Sequence, residues 1–267
     1  VSKIGLIAGN GIFPLEVARA ARRRGLGIIA IAHSGETDPA LSTFTDEITW
    51  IKVGELQRMI EAFRSAGVKE AAMAGGISRA RLGDSFAPDA RAMAMLSRIG
   101  RFSDDTVLRA VAGEIEAEGI AVIDPVPMLE NILAEQGLAA GPTPSPAQLE
   151  DLRVAFEIVR SVGRFDVGQV VALRDGVVGA VEAIEGTDAA LRRAATLMGK
   201  GLVVAKAAKP SQDLRFDRPA IGVATIELLA DLGAALIGVE AGKAMILERE
   251  RTLERANALG VAVYGYE

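Results

Sequence analysis

The sequence predicts an α/β protein: an N-terminal domain with a parallel sheet, then a second α/β domain. Three observations lead there. Short apolar runs alternate with segments whose apolar residues recur at helical spacing, the pattern of a parallel sheet covered on both faces. Half of the 267 residues are apolar, enough for a substantial core. A proline-rich break also divides the chain near its middle.

Residues 4–8 form the first apolar run and end at Gly9-Asn10-Gly11. Residues 13–24 carry apolar side chains at helical spacing, and 27–32 (GIIAIA) read as a buried strand. Strands follow at 47–53, 70–74 and 120–123, and helices at 56–66 and 104–118. At 139–146 (AAGPTPSP), three closely spaced prolines can continue neither a helix nor a ladder, which predicts a linker. The domains are therefore expected at 1–140 and 148–267, with 141–147 between them. In the second, 147–162 reads as a helix. Residues 169–173 and 176–183 read as a hairpin across Asp175-Gly176. Residues 188–198 follow as a helix, with Thr187 or Asp188 as its N-cap. Beyond lie strands at 202–205, 235–239 and 261–265 and helices at 225–232 and 252–259.

Composition removes several function classes. A net charge of −5 argues against a nucleic-acid binder. With no cysteine there are no disulfides, thiolate metal sites or cysteine nucleophile, which suits a cytosolic protein. The single histidine, His33, excludes a histidine-rich metal site. No apolar run approaches the roughly 18 residues of a membrane span, and the first residues read as a strand rather than a leader.

Two glycine loops stand at predicted strand ends, where open parallel sheets bind ligands. Gly9, Asn10 and Gly11 suit either a tight turn or the approach of a phosphate or sugar. Pro14 replaces the third glycine of a dinucleotide fingerprint and no acid follows the second strand, so a nicotinamide site is excluded. Gly75 and Gly76, continuing through Ser78-Arg79, suit a turn or ligand binding. The acids of Asp104-Asp105-Thr106 suit a helix N-terminus, with metal or ligand binding open for one of them. Arg22-Arg23-Arg24 read as a solvated helix end, with attraction to anionic lipid as the alternative. Between 181 and 225 polar groups crowd together: VEAIEGTD, then Lys206 and Lys209, then PSQDLRFDRPAIGVAT. Each has a structural explanation, as caps or as an Arg215–Asp217 pair. Together they suit a phosphate-and-metal site, because phosphoryl chemistry needs charge neutralisation and positioning. Mg²⁺ fits carboxylate and phosphate oxygens in a chain so poor in Cys and His.

VEAIEGTD at 181–188, KAAKPSQDLRFD at 206–217 and PAIGVAT at 219–225 resemble the LpxI family, the UDP-2,3-diacylglucosamine pyrophosphatases of lipid A synthesis. The resemblance extends to IAGNGIFP, SDDTVLR at 103–109, DVGQ at 166–169 and VEAGK at 239–243. It implies a two-domain α/β enzyme with a Rossmann-like N-terminal domain, an Mg²⁺-dependent hydrolase in which water attacks the α-phosphorus, releasing UMP and 2,3-diacylglucosamine 1-phosphate. It also implies a homodimer in the cytoplasm, associated peripherally with the inner membrane through its acylated substrate. Gly9, Asn10, Gly11, Gly75, Gly76, Gln169, Thr187, Lys206 and Lys209 are the substrate-binding candidates. Asp213 and Asp217 are candidate metal ligands with structural alternatives. The family pattern carries an aspartate before Thr225, where this chain has Ala224. A methyl group can neither coordinate a metal nor accept a proton. The expectation is a catalytically impaired enzyme. The alternatives are compensation by Asp213 or Asp217, or a non-catalytic nucleotide-sugar or lipid binder.

Overall fold

The computed structural model describes residues 2–78, 86–100, 103–210 and 212–267. Arg79 and Ser211, part of the motifs above, lie outside the described residues. The chain forms two compact units: Val1–Glu130 with Asp213–Asp217, and Asn131–Gln212 with Arg218–Glu267.

In the first unit, strands β1 (Lys3–Ala8), β2 (Gly27–His33), β3 (Glu47–Ile51), β4 (Glu70–Ala74) and β5 (Ala121–Ile123) form a parallel sheet in the order β3-β2-β1-β4-β5. The continuous apolar runs are explained by burial on both faces. Along β2, Ile28 and Ala30 join one core while Ile29 and Ile31 join the other. Helix α1 (Phe13–Arg23) covers the first face through Leu15, Val17 and Ala18. Helices α2 (Leu56–Ser65), α3 (Ala90–Leu96) and α4 (Asp104–Glu116) contribute Phe63, Met95 and Ile115 to the second. Pro14 sits in the first turn of α1, where its missing N–H costs nothing. The basic end of α1 is tied into this unit: Arg22 donates to Asp46 at 2.7 Å and Arg24 to the Pro127 carbonyl at 2.7 Å.

The second unit holds a mixed sheet in the order β6-β13-β11-β9-β7-β8. Its strands are β6 (Gly137–Ala140), β7 (Val170–Arg174), β8 (Val177–Val181), β9 (Val203–Lys206), β11 (Leu236–Glu240) and β13 (Ala262–Tyr266). The central β9, β11 and β13 are parallel, and β6, β7 and β8 join antiparallel. Helix α5 (Pro146–Gly163) covers one face with Leu152, Phe156 and Val159. Helices α6 (Thr187–Met198), α7 (Val223–Asp231) and α8 (Arg249–Leu259) cover the other with Leu191, Ile226 and Ala256. A short parallel pair, β10 (Ala220–Ile221) with β12 (Met245–Ile246), adjoins α7.

The change of unit at Glu130/Asn131 differs from the expected boundary at 140. Strand β6 pairs with β13, which places residues 137–140 in the second sheet. The prolines of 142–146 punctuate a β-to-α connection inside that unit rather than a linker. Ser145 Oγ accepts from Gln148 N as the N-cap of α5, Gln148 Oε1 accepts from Ser145 N, and Pro146 lies in the first turn.

In the first unit the ends of β1 and β4 meet through glycine. A Cβ on Gly9 would lie 2.2 Å from the Gly76 carbonyl oxygen, and one on Gly75 2.3 Å from that of Asn10. Gly75 also has φ +81°, whereas Gly11, at φ +82°, has open space around it. Gly75→Ala is expected to cost at least about 2 kcal/mol, combining left-handed strain with overlap. Gly11→Ala should cost about 1 kcal/mol from strain alone. Urea unfolding of both variants checks this, and equal losses would contradict a constraint from close approach.

Candidate functional site

The N-terminal candidates gather at the carboxyl ends of β1 and β4. Gly9 N donates to Ala74 O at 2.8 Å, and Asn10 N to Gly76 O at 2.7 Å. The Asn10 amide donates to Glu36 Oε2 at 2.8 Å, which orients it. Glu36, His33 and Thr37 are buried beside the end of β1. Thr37 Oγ1 donates to Ala8 O at 2.6 Å and accepts from His33 N. His33 Nδ1 lies 2.9 Å from the same carbonyl, so the neutral ring carries its proton on Nδ1. Burial lowers the His33 pKa from its ordinary value, against the opposing pull of the Ala8 carbonyl and Glu36. His33 is thus a supporting residue that fixes the loop.

The second unit gathers Gln169, Thr187, Lys206 and Lys209 around the end of β9. Lys206 is the last residue of β9 and stands opposite Val170 in the antiparallel register. Buried Glu182 organises one side: Gln169 N donates to its Oε2 at 3.1 Å and Thr187 Oγ1 to its Oε1 at 2.9 Å. The N-cap of α6 is Gly186, with φ +82° and no side chain, rather than Thr187 or Asp188. Thr187 is the first helical residue and its hydroxyl is spent on Glu182. No side chain caps α6, which leaves the first-turn N–H groups suited to an anion. Gln169 Oε1 is shielded and finds no donor among the described residues.

Buried Glu240, at the end of β11, organises the other side. Its Oε2 accepts from Ala208 N at 3.0 Å, and its Oε1 from Lys243 Nζ at 2.9 Å and Arg160 at 3.3 Å. Lys209 Nζ pairs with Asp166, so part of its charge is already balanced. Glu182, Glu240 and Asp166 were not among the sequence-derived site residues. Their signals were the VEAIEGTD motif for Glu182, the DVGQ and VEAGK motifs for Asp166 and Glu240, and the i,i+3 spacing of Glu240 and Lys243, which alone assign no role.

Asp213 and Asp217 belong to the first unit, and Lys206 and Lys209 to the second. Asp213 N donates to Asp105 Oδ1 at 2.9 Å, and Phe216 enters the core containing Phe63 and Ile115. Arg215 donates to both Asp213 oxygens, and Arg109 adds a contact from a second guanidinium at 3.3 Å. These bonds, Arg215 foremost, hold the Asp213 carboxyl below its usual pKa. The expected Arg215–Asp217 pair is replaced by Arg215–Asp213. Two guanidinium groups on one carboxylate do not fit a metal ligand, since a cation would have to displace them. Among the described residues, no three or more His, Asp or Glu gather as a cation cage. Ala224 is exposed in the first turn of α7, beside Thr225, whose hydroxyl accepts from Gly222 N at 3.4 Å.

The LpxI N-terminal domain family matches residues 3–132 and the LpxI C-terminal domain family matches 135–264. The chain is 35% identical over 276 residues to the UDP-2,3-diacylglucosamine pyrophosphatase LpxI of Caulobacter vibrioides, covering 99% of this chain and 98% of that protein. This chain belongs to the LpxI family. Solved structures give weak likenesses. One is phosphoribosylglycinamide synthetase from Anaerococcus prevotii, with TM-score 0.29, 12% identity, and 69% and 39% of the two chains covered. Another is leucoanthocyanidin reductase with NADPH from Vitis vinifera, with TM-score 0.30, 15% identity, and 61% and 47% covered. Neither bears on the fold or function here.

Two tests address this geometry. Below about pH 6.5 the unfolded chain binds a proton that buried His33 resists, so stability falls with pH, by at most about 1.4 kcal/mol per unit. Melting at pH 7.5 and 5.5 should show this loss, and His33→Asn should flatten it, an attribution made clean by the single histidine. Glu240→Ala should cost about 1–3 kcal/mol in urea unfolding, because the Ala208 N–H loses its partner. The cost stays below that of breaking a fully buried ion pair because Arg160 and Lys243 are partly exposed, at 37% and 50%.

Proposed function

We propose that this chain binds UDP-2,3-diacylglucosamine on a scaffold built to cleave its diphosphate, with turnover held low by Ala224. In the reaction, water oxygen bonds to the α-phosphorus as the bridging P–O bond breaks. UMP and 2,3-diacylglucosamine 1-phosphate leave. The observation that carries this reading is the gathering of Gln169, Thr187, Lys206 and Lys209 at one strand end, beside a helix start without a capping side chain. Lys206 and Lys209 supply positive charge for phosphate oxygens, and the first turn of α6 supplies N–H donors. Similarity along the whole chain to the Caulobacter protein supports the substrate assignment and a place in lipid A synthesis.

Mg²⁺ belongs to this proposal as a partner of the diphosphate oxygens, since Mg²⁺ commonly reaches proteins through substrate phosphates. The described carboxylates do not fit a preformed cage, and the contributions assigned to this chain are binding and orientation. Association as a homodimer and contact with the inner membrane are further parts of the proposal. The proton of the attacking water needs an acceptor, and the side chain at 224 offers none. That favours a second reading, a binder that never turns over.

Ala224→Asp separates the two readings. If the scaffold is catalytic, the variant should release UMP from UDP-2,3-diacylglucosamine with Mg²⁺ about 10²–10⁴-fold faster than the unaltered chain. Equal, negligible release would sink the enzymatic reading, and retained binding by calorimetry would then support the binder. A carboxylate in the first turn of α7 should also stabilise the helix by about 0.3–1 kcal/mol whether or not turnover returns. The melting temperature therefore reports folding separately from chemistry.

A further inference from the structure

Glu182 and Thr187 flank the turn between β8 and α6, and the hydrogen bond between them has a fixed direction. Glu182 directly follows β8, and Thr187 is the first residue of α6. One Glu182 oxygen accepts from Gln169 N at 3.1 Å and the other from Thr187 Oγ1 at 2.9 Å. A backbone N–H can only donate, and a carboxylate has no hydrogen to return. The Thr187 proton is therefore committed to Glu182, and the hydroxyl has only its lone pairs left. Thr187 is half-buried, and no described residue donates to its hydroxyl. A ligand that reaches it meets an acceptor.

Both partners are also held by other bonds. Glu182 N donates to Val170 O at 2.9 Å. Gly168 packs so closely that a Cβ there would lie 2.1 Å from the Glu182 carbonyl oxygen. Within the turn, Glu185 accepts from Ala183 N at 3.1 Å and from Arg193 at 2.7 Å. Gly186, at φ +82°, leads the chain into α6 and donates from its N to Ala183 O at 3.2 Å. The turn therefore has fastenings of its own, and the distinct contribution of the Glu182 carboxylate is the orientation of one hydroxyl.

We propose that Glu182 is a positioning residue: it presents Thr187 as an acceptor to a sugar hydroxyl of the ligand, so that Thr187 reads the sugar and not the diphosphate. Diphosphate oxygens bound to carbon or ionised carry no hydrogen and would meet Thr187 lone pair to lone pair. The lysines and the first-turn N–H groups of α6 suit them instead. In a nucleotide sugar the diphosphate lies between two rings that bear hydroxyls, so a hydroxyl comes next to whatever holds the phosphates. A site that hydrogen-bonds a ligand hydroxyl discriminates strongly against ligands that lack it. The inference rests on the proposed ligand and deepens it by naming the part of that ligand Thr187 contacts.

Glu182→Gln inverts the arrangement at constant size. Gln169 N still requires an acceptor, so the new amide oxygen turns to it and the amide N–H faces Thr187. The hydroxyl must then accept, and its own proton turns outward. The test is calorimetry with UDP-2,3-diacylglucosamine in detergent micelles and with inorganic pyrophosphate. Glu182→Gln should weaken binding of the nucleotide sugar about tenfold or more and leave pyrophosphate affinity within about twofold. Thr187→Val should act in the same way, and Thr187→Ser, which restores the hydroxyl, should recover most of the loss. Because Glu182 acts through Thr187, Glu182→Gln combined with Thr187→Val should weaken binding no further than Thr187→Val alone. Thr187→Val keeps the carboxylate, so it decides the matter if melting shows that Glu182→Gln unfolds. The proposal is overturned if either variant binds the nucleotide sugar as the unaltered chain does, if pyrophosphate binding weakens equally, or if the two losses add. A loss that vanishes when EDTA replaces Mg²⁺ would make Thr187 a cation ligand and overturn it as well. Failure of the unaltered chain to bind UDP-2,3-diacylglucosamine would instead remove the ligand assignment itself, and this inference with it.

Discussion

Two buried carboxylates set the geometry at the end of β9. Taking a carboxylate out of water costs several kcal/mol unless donors replace the lost solvent. Glu182 and Glu240 satisfy that demand largely with groups that must also be positioned for any ligand. Glu182 takes Gln169 N and the Thr187 hydroxyl, and Glu240 takes Ala208 N, Lys243 and Arg160. The connection leaving β9 is thereby tied from both sides, because Ala207 N also donates to Gln169 O at 3.0 Å. Lys206 and Lys209 start and finish that connection. Their placement is a consequence of satisfying two acids, and neither lysine has to be held by long-range charge alone.

The parts of the fold legible in the sequence were those whose signal is local. The apolar runs of β1 and β2 reflect burial on both faces, and the period of α1 reflects a single buried face. The glycine loop at 9–11 announced the end of β1. Elements stabilised by distant partners were silent. Strands β6, β10 and β12 have two to four residues each, too few to show a period, and each exists through a ladder with chain far away. AAGPTPSP reads as a linker in sequence because prolines punctuate in either setting. Only the pairing of β6 with β13 assigns the stretch to the second unit.

The site was legible as a list of residues and much less so as an arrangement. KAAKPSQDLRFD is contiguous, which invited a single phosphate-and-metal reading. Its two ends belong to different compact units: Lys206, Lys209 and Gln212 to one, Asp213 through Asp217 to the other. The division has a physical cause. Phe216 is apolar and is buried in the core beside Phe63, while Asp213 meets Arg109 from 104 residues away. A carboxylate near lysines in sequence suggests a metal, but a carboxylate between two guanidinium groups is a structural hub. Sequence proximity could not tell these apart because the deciding partners are remote.

Position 224 illustrates how separable folding and chemistry are in this chain. Alanine has the highest helix propensity, and an exposed first-turn site asks for no packing. The neighbouring Thr225 hydroxyl still accepts from Gly222 N, so the helix start remains satisfied without a side chain at 224. The core residues of α7, Ile226 and Leu229, remain fully buried. Nothing that holds the second unit together therefore depends on a carboxylate there. The buried acids at 182 and 240 are the opposite case: removing Glu182 would strip a partner from a backbone amide and a hydroxyl, and removing Glu240 would strip one from a backbone amide and two cations. Folding depends on Glu182 and Glu240 far more than on the side chain at 224, so an alanine there can leave the scaffold intact while changing the chemistry it supports.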